Sequence, residues 1–239
     1  MRSSSAAFRY SGSLLAVVVV GAYVGLAVAS GRGELTAAPV LQAGHDTRSA
    51  PDPMEQVRRG RLLTVTHACA GCHGGGDNPA AEGWLAGARS PDDVFLIGPC
   101  ATKPDATPCF RTRARNLTPD NSTGMGRFSE RQIFNSLRYG LRPGETEDKE
   151  ITSTTPGQGN FPIEPKYLAP PMPWPEWRHM SDQELWDIAA YLKRGVKPVR
   201  NRVEDSEGPP DFWASEYTSE KIGAYPLPPF PTAREKLPE

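Results

Sequence analysis

Three stretches of the chain carry apolar residues at helical spacing. In the first, from about Pro53 to Ala68, Val57, Gly60, Leu63 and His67 fall near one face. Asp52 suits its N-cap, Pro53 the first helical position, and Glu55 completes a capping-box spacing. The second begins near Ser129. Ser129 and Gln132 have capping-box spacing, and Phe128 with Ile133 can staple across it. Ile133, Phe134, Leu137 and Leu141 supply its apolar stripe, and Gly140 or Gly144 can end it. In the third, Ser181 and Glu184 cap, Met180 and Leu185 staple, and Gly195 stops the helix ahead of Pro198. Leu185, Ile188, Ala189 and Leu192 share a face there. The intervening stretches lack a period. Gly74–Thr123 is rich in glycine, proline and charge, Arg142–Pro175 is a long Pro/Gly/Thr loop, and Val196–Glu239 is a Pro-rich tail. No segment alternates convincingly as a strand. The pattern predicts an all-α fold of three main helices whose long loops wrap something.

The chain divides accordingly. Arg2 and Arg9 precede an uncharged run, Leu14–Ala29, that ends in Ala27-Val28-Ala29, a small-x-small site suited to cleavage before Ser30. At about 16 residues the run is shorter than the roughly 20 that span a bilayer. Residues 1–29 therefore read as a cleaved signal peptide or a retained N-terminal membrane anchor. Either reading places the body in the periplasm, soluble after cleavage or tethered to the inner membrane, where disulfides persist. Residues 30–53 read as a linker, 54–196 as the folded domain and 197–239 as the tail. The 25 prolines are about twice the usual share, so the core is thin for the length. A buried cofactor would stabilise such a body by binding only the folded state. A net charge of −1 gives no general pull toward nucleic acid.

The cofactor is suggested by Cys69-Ala70-Gly71-Cys72-His73, the C-x-x-C-H haem-attachment signature. Two thiols three residues apart can each add to a haem vinyl group, and His73 then sits under the macrocycle to bind iron. A redox dithiol would need a βαβ setting, which is missing. A zinc site would need two further close ligands, and Cys100 and Cys109 are spaced too widely. The sixth iron ligand is sought among Met125, Met172 and Met180. Met172 is favoured because Pro170, Pro171 and Pro173 pre-set its backbone. Met180 reads as a staple and Met125 as a turn contact. His179 is a rival ligand, and a loop or core role is the alternative for Met172.

These pieces together resemble the class I cytochrome c family, nearest to the single-haem domains of cytochrome subunits serving membrane-bound alcohol and gluconate dehydrogenases. The resemblance runs from about Met54 to Val196. It rests on Gly60-Arg61-Leu62 ahead of the haem motif, Asn116-Leu117-Thr118-Pro119-Asp120, Thr123-Gly124-Met125-Gly126, Pro171-Met172-Pro173-Trp174, and Met180 to Leu192. It implies one covalent haem c, thioether bonds from Cys69 and Cys72, axial ligation by His73 and Met172, and a close crossing of first and last helices at Gly60, near Tyr191. The segment Cys100–Cys109, the loop Gly144–Leu168 and the tail are longer than the family usually has, and Phe128 stands where a Trp is usual.

Cys100 and Cys109 are expected to form a disulfide, with free thiols or a zinc pair as alternatives. Arg111, Arg113 and Arg115 read as a solvated face, with a haem-propionate contact as the sharper alternative. Arg58, Arg59 and Arg61 read as the solvated side of the first helix. No nucleophile–base pair or nucleotide loop is apparent. The chain is expected to be an electron-transfer protein rather than an enzyme. It would carry single electrons between a dehydrogenase or respiratory donor and an acceptor, as a carrier or as a subunit of a membrane-bound dehydrogenase or oxidase. A haem enzyme or a gas or redox sensor with an open sixth position is the alternative. It would need a distal acid–base group, for which His67 and His179 are the candidates, since His45 lies in the linker.

Overall fold

The structure is a computed structural model that describes residues 52–238. The expected signal or anchor, His45 and nearly all of the expected linker lie outside the described residues. No helix among the described residues is long and apolar enough to cross a membrane.

Helix α1 spans Pro53–Thr66, with the Asp52 carboxylate accepting from Met54 N at 3.0 Å and Pro53 opening the first turn. It stops two residues earlier than the periodicity suggests, because Ala68 turns left-handed at φ 53°. The chain then re-enters a short helix, α2 (Cys69–His73). Helix α3 spans Glu130–Tyr139 and carries the complete Ser129/Gln132 capping box. Gly140 ends it at φ 69°. Helix α4 is one turn, Trp174–Trp177, inside the long loop. Helix α5 spans Asp182–Ala190 behind a complete Ser181/Glu184 capping box, and continues through Tyr191–Gly195 in wider turns. A last turn, α6 (Ser219–Ile222), lies in the tail.

Helices α1 and α5 cross where α1 carries glycine. A Cβ at Gly60 would lie 1.9 Å from the Asp187 carbonyl oxygen and 2.8 Å from Tyr191 Cβ, so only glycine permits this approach. Arg59 reaches across the same crossing. Its Nε and Nη2 donate to the buried Asp187 carboxylate at 2.6 and 3.2 Å. Arg59 is thus not simply a solvated residue of α1. The crossing exists because one α1 position is small and its neighbour pairs with a carboxylate that would otherwise be buried alone. The core over it gathers Leu185, Ile188, Ala189 and Leu192 with Ile133, Phe134 and Leu137.

The expectation of an all-α fold without strands is corrected at one place. Strands β1 (Phe95–Ile97) and β2 (Phe110–Thr112) pair antiparallel, Phe95 opposite Thr112 and Ile97 opposite Phe110. Their apolar residues face the tail residue Trp213, whose ring lies 4.9 Å from that of Phe110. Cys100 and Cys109 are joined by a disulfide across the connection between the strands, with Cα atoms 5.4 Å apart.

The Pro-rich tail is fastened to the body along much of its length. Residues 199–206 bind the loops near His73, Trp213 packs on the sheet, and Arg178 Nη2 donates to the carbonyls of Ile222 and Gly223. Arg111 is exposed, as a solvated face would have it, and meets this strap through its backbone, whereas the side chains of Arg113 and Arg115 bind the strap, a role that neither a solvated face nor a propionate contact anticipates. The backbones of Arg111 and Glu207 exchange bonds of 2.8 and 2.9 Å. Arg113 pairs with Glu204 at 2.9 Å, and Arg115 donates to Glu204 O and Ser206 Oγ.

Candidate functional site

The Cys69–Cys72 helix starts directly after the left-handed turn at Ala68, so its residues leave the axis of α1. Cys69 is half-buried and Cys72 exposed, and neither is bonded to another sulfur. Burial pushes the Cys69 thiol up to about 11, so near neutral pH it is a protonated S–H. No three His, Cys, Asp or Glu side chains converge on a point among the described residues, and Cys100 and Cys109 are spent on each other. The donor set around the motif is therefore two free thiols and one imidazole, which fits covalent haem attachment rather than a tetrahedral zinc site.

His73 is half-buried, and its Nδ1 lies 2.6 Å from the Arg115 carbonyl oxygen. A carbonyl only accepts, so Nδ1 carries the proton and Nε2 keeps its lone pair. Burial lowers the His73 pKa, against the opposing effect of this hydrogen bond, and the ring is held neutral. The result is an imidazole with fixed tautomer and fixed direction, presenting one ligating nitrogen.

A polar lattice holds Arg115 in place. His73 O accepts from Gly87 N at 2.7 Å, Ala88 N donates to Ala114 O at 3.0 Å, and Leu117 N to Leu85 O at 2.8 Å. Asn201 Nδ2, from the tail, bridges the carbonyls of Ala86 and Ala88 at 2.7 and 3.0 Å. Buried Asn116 ties the next corner. Its Oδ1 accepts from Thr118 N and Thr118 Oγ1, while its Nδ2 donates to Thr123 Oγ1 and Val199 O. Asp120 Oδ1 accepts from Thr123 N and Oγ1, and a Cβ at Gly124 would sit 2.2 Å from Thr118 O. The Asn116–Gly126 stretch is thus a welded corner behind His73. Sequence reasoning missed the Arg115 carbonyl, since a backbone group carries no residue signature. It also missed the tail's contribution, although residues 199–206 are mostly polar, with Arg200, Asn201, Arg202, Glu204, Asp205 and Ser206.

Met172 is half-buried against the main core, in the same cluster as Cys69 and Leu117. Its N donates to Ala169 O and its O accepts from Trp174 N, which makes a tight loop around it. Met125 and Met180 touch that cluster too. His67 and His179 lie elsewhere. His67 Nδ1 is 2.9 Å from Leu63 O with the ring edge-on to Trp177, and His179 lies against Tyr225 at 5.9 Å.

Set against known proteins, the geometry has a clear place. The chain belongs to the cytochrome c family, whose profile "Cytochrome c" matches residues 57–195. It carries covalently bound haem c as that family does. It is 28% identical over 155 residues to a gluconate 2-dehydrogenase cytochrome c subunit of Pantoea cypripedii, covering 64% of this chain and 26% of that one. It is 25% identical over 167 residues to a fructose dehydrogenase cytochrome subunit of Gluconobacter japonicus, covering 67% and 27%. The cytochrome c subunit of a quinone-dependent alcohol dehydrogenase of Gluconobacter oxydans is 29% identical over 97 residues, covering 39% of this chain and 16% of that protein. The matched regions thus span about a quarter or less of the length of these relatives.

Proposed function

We propose that this chain is an exported monohaem electron-transfer protein in which Cys69 and Cys72 form the thioethers and His73 and Met172 are the axial ligands. The orientation of the His73 ring by the Arg115 carbonyl, directly after the thiol pair, carries the reading. When bound, the haem supplies a one-electron ferrous/ferric couple. His73 offers Nε2 from a rigid wall, and the prolines around Met172 hold its thioether in one direction at low entropic cost. A methionine ligand raises the reduction potential relative to a second imidazole. The hydrogen bond that ties His67 Nδ1 to the Leu63 carbonyl supports ligation by methionine over a distal acid–base role for His67.

The donor we favour is a dehydrogenase, because the relatives are named as cytochrome subunits of gluconate, fructose and alcohol dehydrogenases. Residues 1–29 would export the chain and either leave or anchor it. The test is the ferric spectrum of protein matured in a host that attaches haem c. The methionine-sulfur-to-iron band should be present, and absent in Met172→Ala. A wild type lacking the band and binding carbon monoxide readily would point to an open sixth position instead. Co-purification of the tagged chain with a sugar- or alcohol-oxidising activity would support the dehydrogenase donor.

A further inference from the structure

The wide turns that prolong α5, Tyr191–Gly195, are of a kind that recurs at functional sites. Lys193 lies in them, half-buried. Its Nζ donates to the carbonyls of Gly126 and Phe128 at 2.8 and 2.6 Å, with Met125 O at 3.3 Å. All three partners are neutral backbone groups. Carboxylates lie within ion-pair reach of Lys149, Lys166 and Lys221, but among the described residues none is so placed beside Lys193. Asp120, the carboxylate of the adjoining corner, spends its Oδ1 on the N–H groups of Ser122 and Thr123 and on the Thr123 hydroxyl. The ammonium is therefore satisfied as a donor without being neutralised as a charge.

The turn that receives it belongs to the wall of the proposed iron site. Met125 is 8% exposed and packs in the cluster that also holds Cys69, Leu117 and Met172. Its N donates to Thr118 O at 2.8 Å, and a Cβ at Gly126 would lie 2.4 Å from Pro119 O. One side of the turn is thus pressed against the corner behind His73, and Lys193 ties the other side to α5. A positive charge is fixed on the backbone of a residue whose side chain shares a cluster with Cys69 and Met172. In a partly buried, low-dielectric setting such a charge acts more strongly than in water. Ferric iron carries one more positive charge than ferrous iron, so a fixed cation in the wall disfavours the ferric form.

We propose that Lys193 sets the reduction potential: clamped on the Met125–Phe128 turn, its ammonium biases the iron couple toward the ferrous state. Lys193 keeps its proton throughout and makes or breaks no covalent bond. The inference rests on the reading of this chain as a haem-bearing electron carrier, but not on Met172 as the sixth ligand.

The experiment is a redox titration, at low ionic strength, of the haem-loaded wild type and of Lys193→Arg, Lys193→Gln and Lys193→Met. Arginine keeps the charge. Glutamine keeps a donor for the carbonyls without the charge, and methionine keeps neither. At a fixed applied potential the ferrous-to-ferric ratio should fall several-fold in the Gln and Met variants and stay near the wild-type value in the Arg variant, with the visible spectrum unchanged in all. Should the Met variant not accumulate, the Gln variant carries the same comparison. Uncharged variants that titrate at the wild-type potential overturn the proposal, as does an Arg variant that falls as far as Gln. A fall accompanied by an altered axial-ligand spectrum assigns Lys193 to the fold alone and overturns it too. The carrier reading survives all three failures. A chain that takes up no haem overturns both, and shows it as missing absorbance before any titration.

Discussion

The two sides of the proposed iron site are held by different physics. Behind His73, three separate segments, residues 85–88, 114–117 and 199–206, are knitted by backbone bonds and by two asparagines, the buried Asn116 and the half-buried Asn201. Around Met172 the supports are three prolines, a tight Ala169–Trp174 loop, and aromatic rings stacked between Tyr167 and Trp174. A hydrogen-bonded lattice fixes direction, because each bond constrains angle as well as distance. Prolines and stacked rings restrict a loop without using its polar groups. The histidine side is therefore tuned for orientation, and the methionine side for a stiff loop that need not be woven into the body.

The largest effect should come from breaking the lattice. Asn116→Ala leaves the Thr118 N–H without its acceptor in the interior, while the Val199 carbonyl keeps its bond from Thr118 Oγ1. It should cost about 3 kcal/mol in guanidinium unfolding of the haem-loaded protein, counting the orphaned N–H and the lost bonds of a buried amide. The sulfur–iron band should survive at low denaturant, since the methionine side is not touched. Next comes the clasp under the other side, where Tyr167 and Ala169 pack on the cluster of Ile97, Phe110 and Trp213. The double change Cys100→Ser, Cys109→Ser opens a loop of separation 9 and should cost about 2–3 kcal/mol in the chain-entropy model. On heating, the band should disappear before the helical circular dichroism, a separation absent from the wild type. Mass spectrometry of the unreduced wild type should show the pair two hydrogens lighter.

Pro173→Ala should have a smaller effect, about 0.5–1 kcal/mol through a freer unfolded chain. It should speed displacement of the methionine by added imidazole while leaving the His73 side unchanged. The smallest change concerns pH. The His179 pKa is lowered from 6.5 by burial and by the nearby charges of Arg178 and Arg138. Its neutral form is favoured by folding. That contribution is present above pH 6.5 and is lost as the pH falls through the lower folded value. His179→Gln should flatten the stability profile below pH 6.5, as read by denaturation at a series of pH values.

How much of this could be read in advance follows from how local each signal is. Helices α3 and α5 begin where their capping boxes are written, because N-cap and N3 are three residues apart in sequence. The haem motif is contiguous and equally plain. The strands are three residues each, too short for alternation to show, although Phe95-Leu96-Ile97 is a dense apolar run that could have raised the question. Arg59 looked solvated because its partner Asp187 lies 128 residues away. Arg113 and Arg115 looked like a surface for the same reason: their side-chain partners in the strap, Glu204 and Ser206, lie far along the chain in a tail with no periodic signal.

The strap formed by residues 199–206 has a consequence for biogenesis. These residues are made last among the three segments that back the imidazole, so the wall closes only after residue 206 has emerged. Attachment machinery reaching Cys69 and Cys72 before that moment meets a histidine whose ring is still free to turn, and the final stretch locks it afterwards.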